Sequence, residues 1–143
     1  MTSQDARGPQ SDDAPRRAAE GATVIVVDDD DDTREVVVEV LRDEGFDVCA
    51  ARDGYEALEL AEQEPRPTAM LLDLSMPRMD GREVLRRLKD RRDLRTLPVC
   101  ILSGDQDVPA GANMAVRKPL LLHRLVRILA WLRECAKPVP RTK

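Results

Sequence analysis

Residues 23–45 read TVIVVDDDDDTREVVVEVLRDEG, and this stretch decides the fold. Residues 23–27 form a short β-branched run, which predicts a strand buried on both faces. Five aspartates follow at residues 28–32. Residues 33–45 then place apolar side chains at helical spacing, and Gly45 ends the predicted helix. A buried strand, an acidic turn and an amphipathic helix together form the first unit of a sheet whose strands are joined by helices.

The same alternation continues along the chain. Further strands are predicted at residues 47–51, 68–72, 97–102 and 114–117, and further helices at residues 53–63, 80–92 and 119–135. In the last helix, Leu121, Leu125, Ile128 and Leu132 mark the predicted buried face. Strands that alternate with helices and are apolar throughout predict a parallel sheet covered on both sides.

Composition sets the limits for the whole chain. Its 143 residues suit one compact domain, and because hydrophobic residues make up 42% but aromatic residues only 2%, the core must be aliphatic. A net charge of −4 gives no sign of a nucleic-acid groove, and no apolar run approaches the ~20 residues that span a bilayer.

We expect a disordered tail at residues 1–21, one domain at residues 22–135 and a short exposed end at residues 136–143. Three cysteines without metal-ligand spacing fit a cytoplasmic, reducing location.

Polar residues follow or end four of the predicted strands. Asp28 and Asp29 follow the first strand, Asp73 the third, Ser103 the fourth and Lys118 the fifth. The carboxyl ends of parallel strands meet at one edge of the sheet, where such folds bind ligands. Strands often end in polar loop residues, which is a sufficient account of any one of these positions. It is a poorer account of three carboxylates, a hydroxyl and a lysine at the same edge.

Three carboxylates at one edge need a cation. Two unit charges ~4 Å apart repel by about 4 kcal/mol at an effective dielectric constant of ~20. A divalent ion attracts each carboxylate with about twice that strength, so binding outweighs the repulsion. Oxygen ligands in a small cluster favour Mg²⁺ or Mn²⁺, and a lysine opposite the metal is typical of sites that bind phosphoryl groups.

Four motifs carry a resemblance to a known family. VIVVDDDDDTREVVVEVLRDEGFDV (24–48) resembles the opening of a bacterial two-component response-regulator receiver domain, and MLLDLSMPRMDG (70–81) resembles the segment around its phosphoacceptor aspartate. VCILSG (99–104) and VRKPL (116–120) resemble its hydroxyl-bearing strand end and its Lys-Pro turn. The motifs occur in the family's order. The resemblance implies a doubly wound, flavodoxin-like α/β fold with five parallel strands in the order 2-1-3-4-5.

The resemblance also implies a metal site and a phosphoacceptor. Asp73 would accept the phosphoryl group from a phosphohistidine or a small phosphodonor, and would also be a metal ligand. Asp29 would bind Mg²⁺ (or Mn²⁺) directly, Asp28 would bind it largely through water, and the backbone carbonyl of Ser75 would complete the protein ligands. Lys118 would neutralise one phosphoryl oxygen and Ser103 would donate a hydrogen bond to another.

The remaining aspartates of the run have simpler expected roles. Asp31 or Asp32 is expected to cap the first helix, where an acidic side chain also suits the helix dipole. Asp30 is expected to be a solvated loop residue.

Two features depart from the family's pattern. Ala115 stands where receivers usually carry Tyr or Phe, three residues before the lysine of the Lys-Pro turn. Only residues 104–117 separate Ser103 from Lys118, too few for a full helix with its loops, and Pro109 and Gly111 shorten any helix further. We therefore expect the family's fourth helix, between the fourth and fifth strands, to be shortened or missing.

Two functions stay open. In the first, the chain is a stand-alone receiver that a sensor histidine kinase or a histidine phosphotransfer protein phosphorylates. It would signal to an unidentified downstream protein through a remodelled surface, without contact with nucleic acid or membrane. It would not be an enzyme, apart from self-phosphorylation and autodephosphorylation. In the second, it is a pseudo-receiver, an interaction module independent of phosphorylation. Ala115 and the short segment favour the second, and the intact set of acidic residues, Ser103 and Lys118 favour the first.

Overall fold

The computed structural model describes residues 22–104 and 108–137. The strands are β1 (Thr23–Val27), β2 (Asp47–Ala51), β3 (Ala69–Asp73), β4 (Val99–Ser103) and β5 (Met114–Arg117), and the helices are α1 (Asp31–Asp43), α2 (Gly54–Ala61), α3 (Gly81–Asp90) and α4 (Leu122–Ala136). All strand pairs are parallel and the sheet order is β2-β1-β3-β4-β5, which confirms the predicted fold class and strand order. The predicted tail at residues 1–21 and the predicted end from residue 138 onward lie outside the described residues.

The core consists of two aliphatic layers, one on each face of the sheet. Because side chains alternate along a strand, Ile25 and Val27 face the layer formed with α2 and α3, whereas Val24 and Val26 face the layer formed with α1 and α4. The three central strands β1, β3 and β4 are buried almost throughout. Within the described residues, no helix has the length and apolar character needed to cross a bilayer.

Helix α1 begins earlier than predicted because Asp30 is its cap. Asp30 has extended backbone, and its carboxylate accepts hydrogen bonds from the Thr33 amide at 2.9 Å and the Thr33 hydroxyl at 2.5 Å. These two bonds lower the pKa of Asp30. The expectation that Asp31 or Asp32 caps the helix is therefore wrong, and Asp30 is not a spare loop residue.

Helix α4 begins at Leu122, three residues later than predicted. Residues 118–120 form a turn with a cis peptide bond between Lys118 and Pro119, and the Leu121 amide donates to the Pro119 carbonyl at 2.9 Å. Leu121 precedes the helix and is 48% exposed, so its predicted burial is wrong. Ile128 and Leu132 are buried as predicted.

The connection between β4 and β5 contains no helix in its described part, residues 104 and 108–113. This agrees with the expectation of a shortened or missing helix there. Gly111 has a positive φ of 98°, a conformation that glycine adopts without strain, and the connection re-enters the sheet at Asn113.

Candidate functional site

Two central strands bring the first two carboxylates together. Val27 of β1 lies beside Leu72 of β3, so Asp28, which follows β1, and Asp73, the last residue of β3, meet at the carboxyl edge of the sheet. Both aspartates are buried, with exposures of 1% and 4%. Asp29 is exposed to solvent, yet one carboxylate oxygen from each of the three aspartates lies within 4.8 Å of the others.

Lys118 brings a positive charge to the same place. It follows β5, and its amide donates to the Ser103 carbonyl at 2.8 Å, which fixes the start of the Lys-Pro turn against the end of β4. Its Nζ lies 3.1 Å from Asp28 Oδ2 and 3.4 Å from Asp73 Oδ1. The side chain of Lys118 is 25% exposed, so its single positive charge offsets part of the charge of the two buried aspartates from the solvent side.

Ser103 and Ser75 lie at the same edge. Ser103 is the last residue of β4 and is buried, and its neighbour Leu102 is paired with Asp73. The Ser75 amide donates to Asp73 Oδ1 at 3.4 Å, so the loop after β3 turns back towards the Asp73 carboxylate. The structure thus gathers every predicted site residue at one edge of the sheet, while their individual roles remain predictions.

Arg34 is a contributor that the sequence analysis missed. Its Nη1 donates to the Asp28 carbonyl at 2.7 Å, and its Nη2 contacts Asp31 at 2.6 Å. The guanidinium therefore fixes the backbone of the turn between β1 and α1. The Asp28 carboxylate is oriented further by the Asp30 amide at 2.9 Å. A basic residue near the start of a helix opposes the helix dipole. The unfavourable position of Arg34 near the start of α1 could therefore have indicated, from the sequence alone, that its side chain has a structural role.

The loop after Asp73 is closely packed. The Leu74 amide donates to the Leu102 carbonyl at 3.0 Å, and the Gly81 amide returns to the Leu74 carbonyl at 2.9 Å. A Cβ at position 81 would lie 2.6 Å from the Asp73 carbonyl oxygen, so only glycine fits at the start of α3. A depression of about 410 Å³ opens beside the loop, lined by Leu74, Ser75, Met76, Pro77, Asp80 and Arg82.

The electrostatics of the site reflect burial and crowding. Burial, followed by the charge of Asp28, raises the pKa of Asp73 to about 7, although Lys118 and the Ser75 amide oppose the shift. Burial alone would lower the pKa of Lys118, but its hydrogen bond to Asp28 and the charges of Asp73 and Asp28 raise it instead. Lys118 therefore stays protonated, while burial and crowding favour the protonated form of the Asp73 carboxyl.

The donor set fits a divalent cation. With all groups ionised, three carboxylates and one ammonium carry a formal charge of −2, which a divalent ion would balance. Asp29 is open to solvent, so a metal could keep several waters, as Mg²⁺ does. The chemistry available at this edge is therefore metal binding beside a buried carboxylate and a lysine.

Comparisons with known proteins agree with this geometry. The family model of the response regulator receiver domain matches residues 24–130. Response regulator MprA of Mycobacterium leprae (strain TN) is 40% identical over 109 residues, which are 71% of this chain and 46% of that protein. The structure of Vibrio cholerae chemotaxis protein CheY4 has a TM-score of 0.69 at 29% identity, covering 78% of this chain and 98% of that one. The Mn²⁺-bound form of response regulator Rcp1 has a TM-score of 0.65 at 29% identity, covering 79% and 92%.

The match covers most of this chain but not most of its curated relatives. The chain spans about half the length of the MprA proteins it matches, so its stand-alone character remains a prediction. The family match, the strand order and the aspartate cluster point to the same assignment. The chain belongs to the family of response-regulator receiver domains of two-component systems.

Proposed function

We propose that this receiver domain accepts a phosphoryl group on Asp73 from the phosphohistidine of a sensor histidine kinase or a histidine phosphotransfer protein. The observation that carries the proposal is the position of Asp73. Its carboxylate is buried at the end of β3, 3.4 Å from Lys118 Nζ and within 4.8 Å of the carboxylates of Asp28 and Asp29.

The residues at this edge suit in-line phosphoryl transfer. A carboxylate oxygen of Asp73 forms the new P–O bond, while the P–N bond to the donor imidazole breaks and the imidazole leaves with the electron pair. Lys118 neutralises one oxygen of the transferred group, and Ser103 donates a hydrogen bond to another. Transfer of this kind depends on positioning and charge neutralisation more than on covalent chemistry by the protein.

Asp28, Asp29, Asp73 and the Ser75 carbonyl would hold Mg²⁺ or Mn²⁺. The ion would supply positive charge beside the phosphoryl oxygens. The exposed carboxylate of Asp29 would meet the ion from the solvent side, whereas buried Asp28 would orient its waters while its Oδ2 stays bonded to Lys118.

One observation favours the alternative, a phosphorylation-independent interaction module. Ala115 of β5 packs against the aliphatic layer of α2 and α3, where the resemblance leads one to expect Tyr or Phe. A methyl group cannot change between buried and exposed rotamers in response to Ser103. A phosphorylated form would therefore need to signal through a different surface.

Intact-mass spectrometry tests the proposal. Wild-type protein incubated with Mg²⁺ and acetyl phosphate should gain the mass of one phosphoryl group, and Asp73→Ala should not. Asp93→Asn, an aspartate paired with Arg66 and Arg91 away from this edge, is the matched control and should gain the mass as the wild type does. A wild type that gains no mass under these conditions would contradict the proposal and favour the interaction module instead.

A further inference from the structure

The first turn of α2 contacts the loop that follows the phosphoacceptor. We define residues 74–80 as the site loop. Asp53 caps α2, because its Oδ1 accepts the Glu56 amide at 2.9 Å, and its Oδ2 accepts Arg78 Nη2 of the site loop, also at 2.9 Å. One carboxylate therefore fixes both the start of a helix and a position in the loop.

Arg78 needs such a contact. Its φ is +68°, a conformation that costs a non-glycine residue of the order of 1–3 kcal/mol and persists only where the surroundings determine it. The ion pair with Asp53 is half in solvent, with side-chain exposures of 66% and 19%, and such pairs add little to global stability. We therefore expect it to affect the position of the loop more than the stability of the domain.

Gly54, the residue after Asp53, allows a second close contact between α2 and the site loop. A Cβ at position 54 would lie 2.8 Å from Met79 Sδ and 2.7 Å from Val84 Cγ2, so the backbone of α2 packs directly on the site loop and on α3. Met79 is 3% exposed, which shows how completely this packing encloses it.

The start of the loop is attached to two elements. The Gly81 amide, at the start of α3, is bonded to the Leu74 carbonyl at 2.9 Å, and the Leu74 amide is bonded to β4 at 3.0 Å. The site loop is thus held at Leu74 by β4 and α3, and at Arg78 and Met79 by α2. Ser75 lies between these two attachments, so we expect a displacement at Arg78 to move its backbone.

We propose that Asp53 is a positioning residue for the phosphorylation site, acting through Arg78 on the backbone of Ser75. This inference rests on the proposed function, because Ser75 matters only if its carbonyl is a metal ligand. It assigns to the turn between β2 and α2 a part in metal affinity, although none of its residues contributes a ligand.

Asp53→Asn tests the inference with little other change. Asparagine caps a helix as well as aspartate does, so α2 should be preserved while the charge facing Arg78 is lost. Isothermal titration calorimetry with MgCl₂, without any phosphodonor, should show about threefold weaker binding, less than the roughly tenfold or more that is lost when a direct partner of a metal ligand is removed. Amide hydrogen exchange at Gly81 should accelerate in the metal-free variant.

The controls separate positioning from stability. Asp93→Asn removes ion pairs of similar exposure elsewhere and should bind Mg²⁺ as the wild type does. Adding Arg78→Gly to Asp53→Asn should weaken binding no further than the single variant does, because the two residues act through one contact. An Asp53→Asn protein that binds Mg²⁺ as tightly as the wild type, whether or not it is less stable, overturns this inference alone. A wild type that binds no Mg²⁺ overturns the proposed function together with it.

Discussion

Two connections leave the carboxyl edge of the sheet, and they differ in how they are held. The connection from β3 to α3, residues 74–80, buries Leu74, Met76 and Met79 and is bonded to β4, α2 and α3. In the connection from β4 to β5, the described residues 104 and 108–113 are mostly exposed, and Val108 is 46% exposed. The connection that follows Asp73 is thus fixed, whereas the described part of the other is tied chiefly at its return to β5.

Under the proposed function, this difference would separate chemistry from readout. The proposed phosphoryl transfer needs groups held within a fraction of an ångström, and the packed connection provides that. A surface that changes on phosphorylation would be drawn from regions of low local stability, and the described part of the β4–β5 connection is mostly exposed. The described part of this connection contains no helix, yet Lys118 is still held at the sheet edge by its own amide bond to the Ser103 carbonyl.

The largest effect should come from a methyl group at the packed connection. Gly81→Ala places a Cβ against the Asp73 carbonyl and the Leu74 Cα, both backbone atoms that cannot move away cheaply. We expect the free energy of unfolding to fall by about 3 kcal/mol, the upper range for overpacking. Gly104→Ala is the matched control, because a Cβ there would meet no atom of the described residues within 4 Å, and it should change stability by less than about 0.5 kcal/mol. Urea unfolding measures the free energy of unfolding of both variants. Equal losses would contradict the expected difference between the two connections.

A somewhat smaller effect should follow from removing the cation of the site. Lys118→Ala leaves Asp28 and Asp73 adjacent and uncompensated. We expect a loss of about 2 kcal/mol in the presence of a chelator, less than for a fully buried pair because Lys118 is partly exposed and Asp73 can take up a proton. Mg²⁺ should restore part of this loss. Lys89→Ala, whose Nζ bonds to the Arg95 carbonyl on the surface, should have almost no effect with or without Mg²⁺.

The titration of Asp73 predicts how metal binding depends on pH. Its pKa is about 7 in the folded protein and 3.8 as the ordinary value, so between these values the folded state holds more protons than the unfolded chain. The stability of the metal-free protein should therefore fall as pH rises through this range. Mg²⁺ requires the ionised carboxylate, so its affinity should fall about tenfold for each pH unit below 7 and level off above it. Calorimetry between pH 5.5 and 8 measures this, and Asp73→Asn should remove the dependence.

The smallest effect should come from the far end of the loosely held connection. The Asn113 amide donates to the Val99 carbonyl at 2.9 Å, and Asn113 Oδ1 accepts the Val99 amide, also at 2.9 Å. Asn113→Ala leaves the buried Val99 amide without this partner, which should cost about 1 kcal/mol. These bonds lie at the amino ends of β4 and β5, on the edge opposite the site, so Mg²⁺ affinity should not change. A weaker affinity would show that the two edges are coupled.

Much of the fold could be predicted because short apolar strands stand out between polar segments. Residues 23–27, 47–51 and 114–117 are strands with the predicted bounds. The grouping of Asp28, Asp73 and Lys118 followed from one rule, that parallel strands end at the same edge.

The errors have local causes. Five identical aspartates offer no basis for choosing which one caps α1, since the choice depends on backbone angles that composition does not encode. Pro119 is typical of a helix start, but here it belongs to the turn that carries Lys118, so α4 begins later. The pair of Asp53 and Arg78 is 25 residues apart in sequence and forms only because α2 packs against α3.

The most direct test of the acidic site is a crystal structure of the protein grown with MnCl₂, with an anomalous difference map at the manganese edge. The account predicts one strong peak in direct contact with the carboxylates of Asp29 and Asp73 and with the Ser75 carbonyl oxygen, with Lys118 on the other side of Asp73. A map without a peak among Asp28, Asp29 and Asp73, or with those side chains pointing away from a common point, would contradict it.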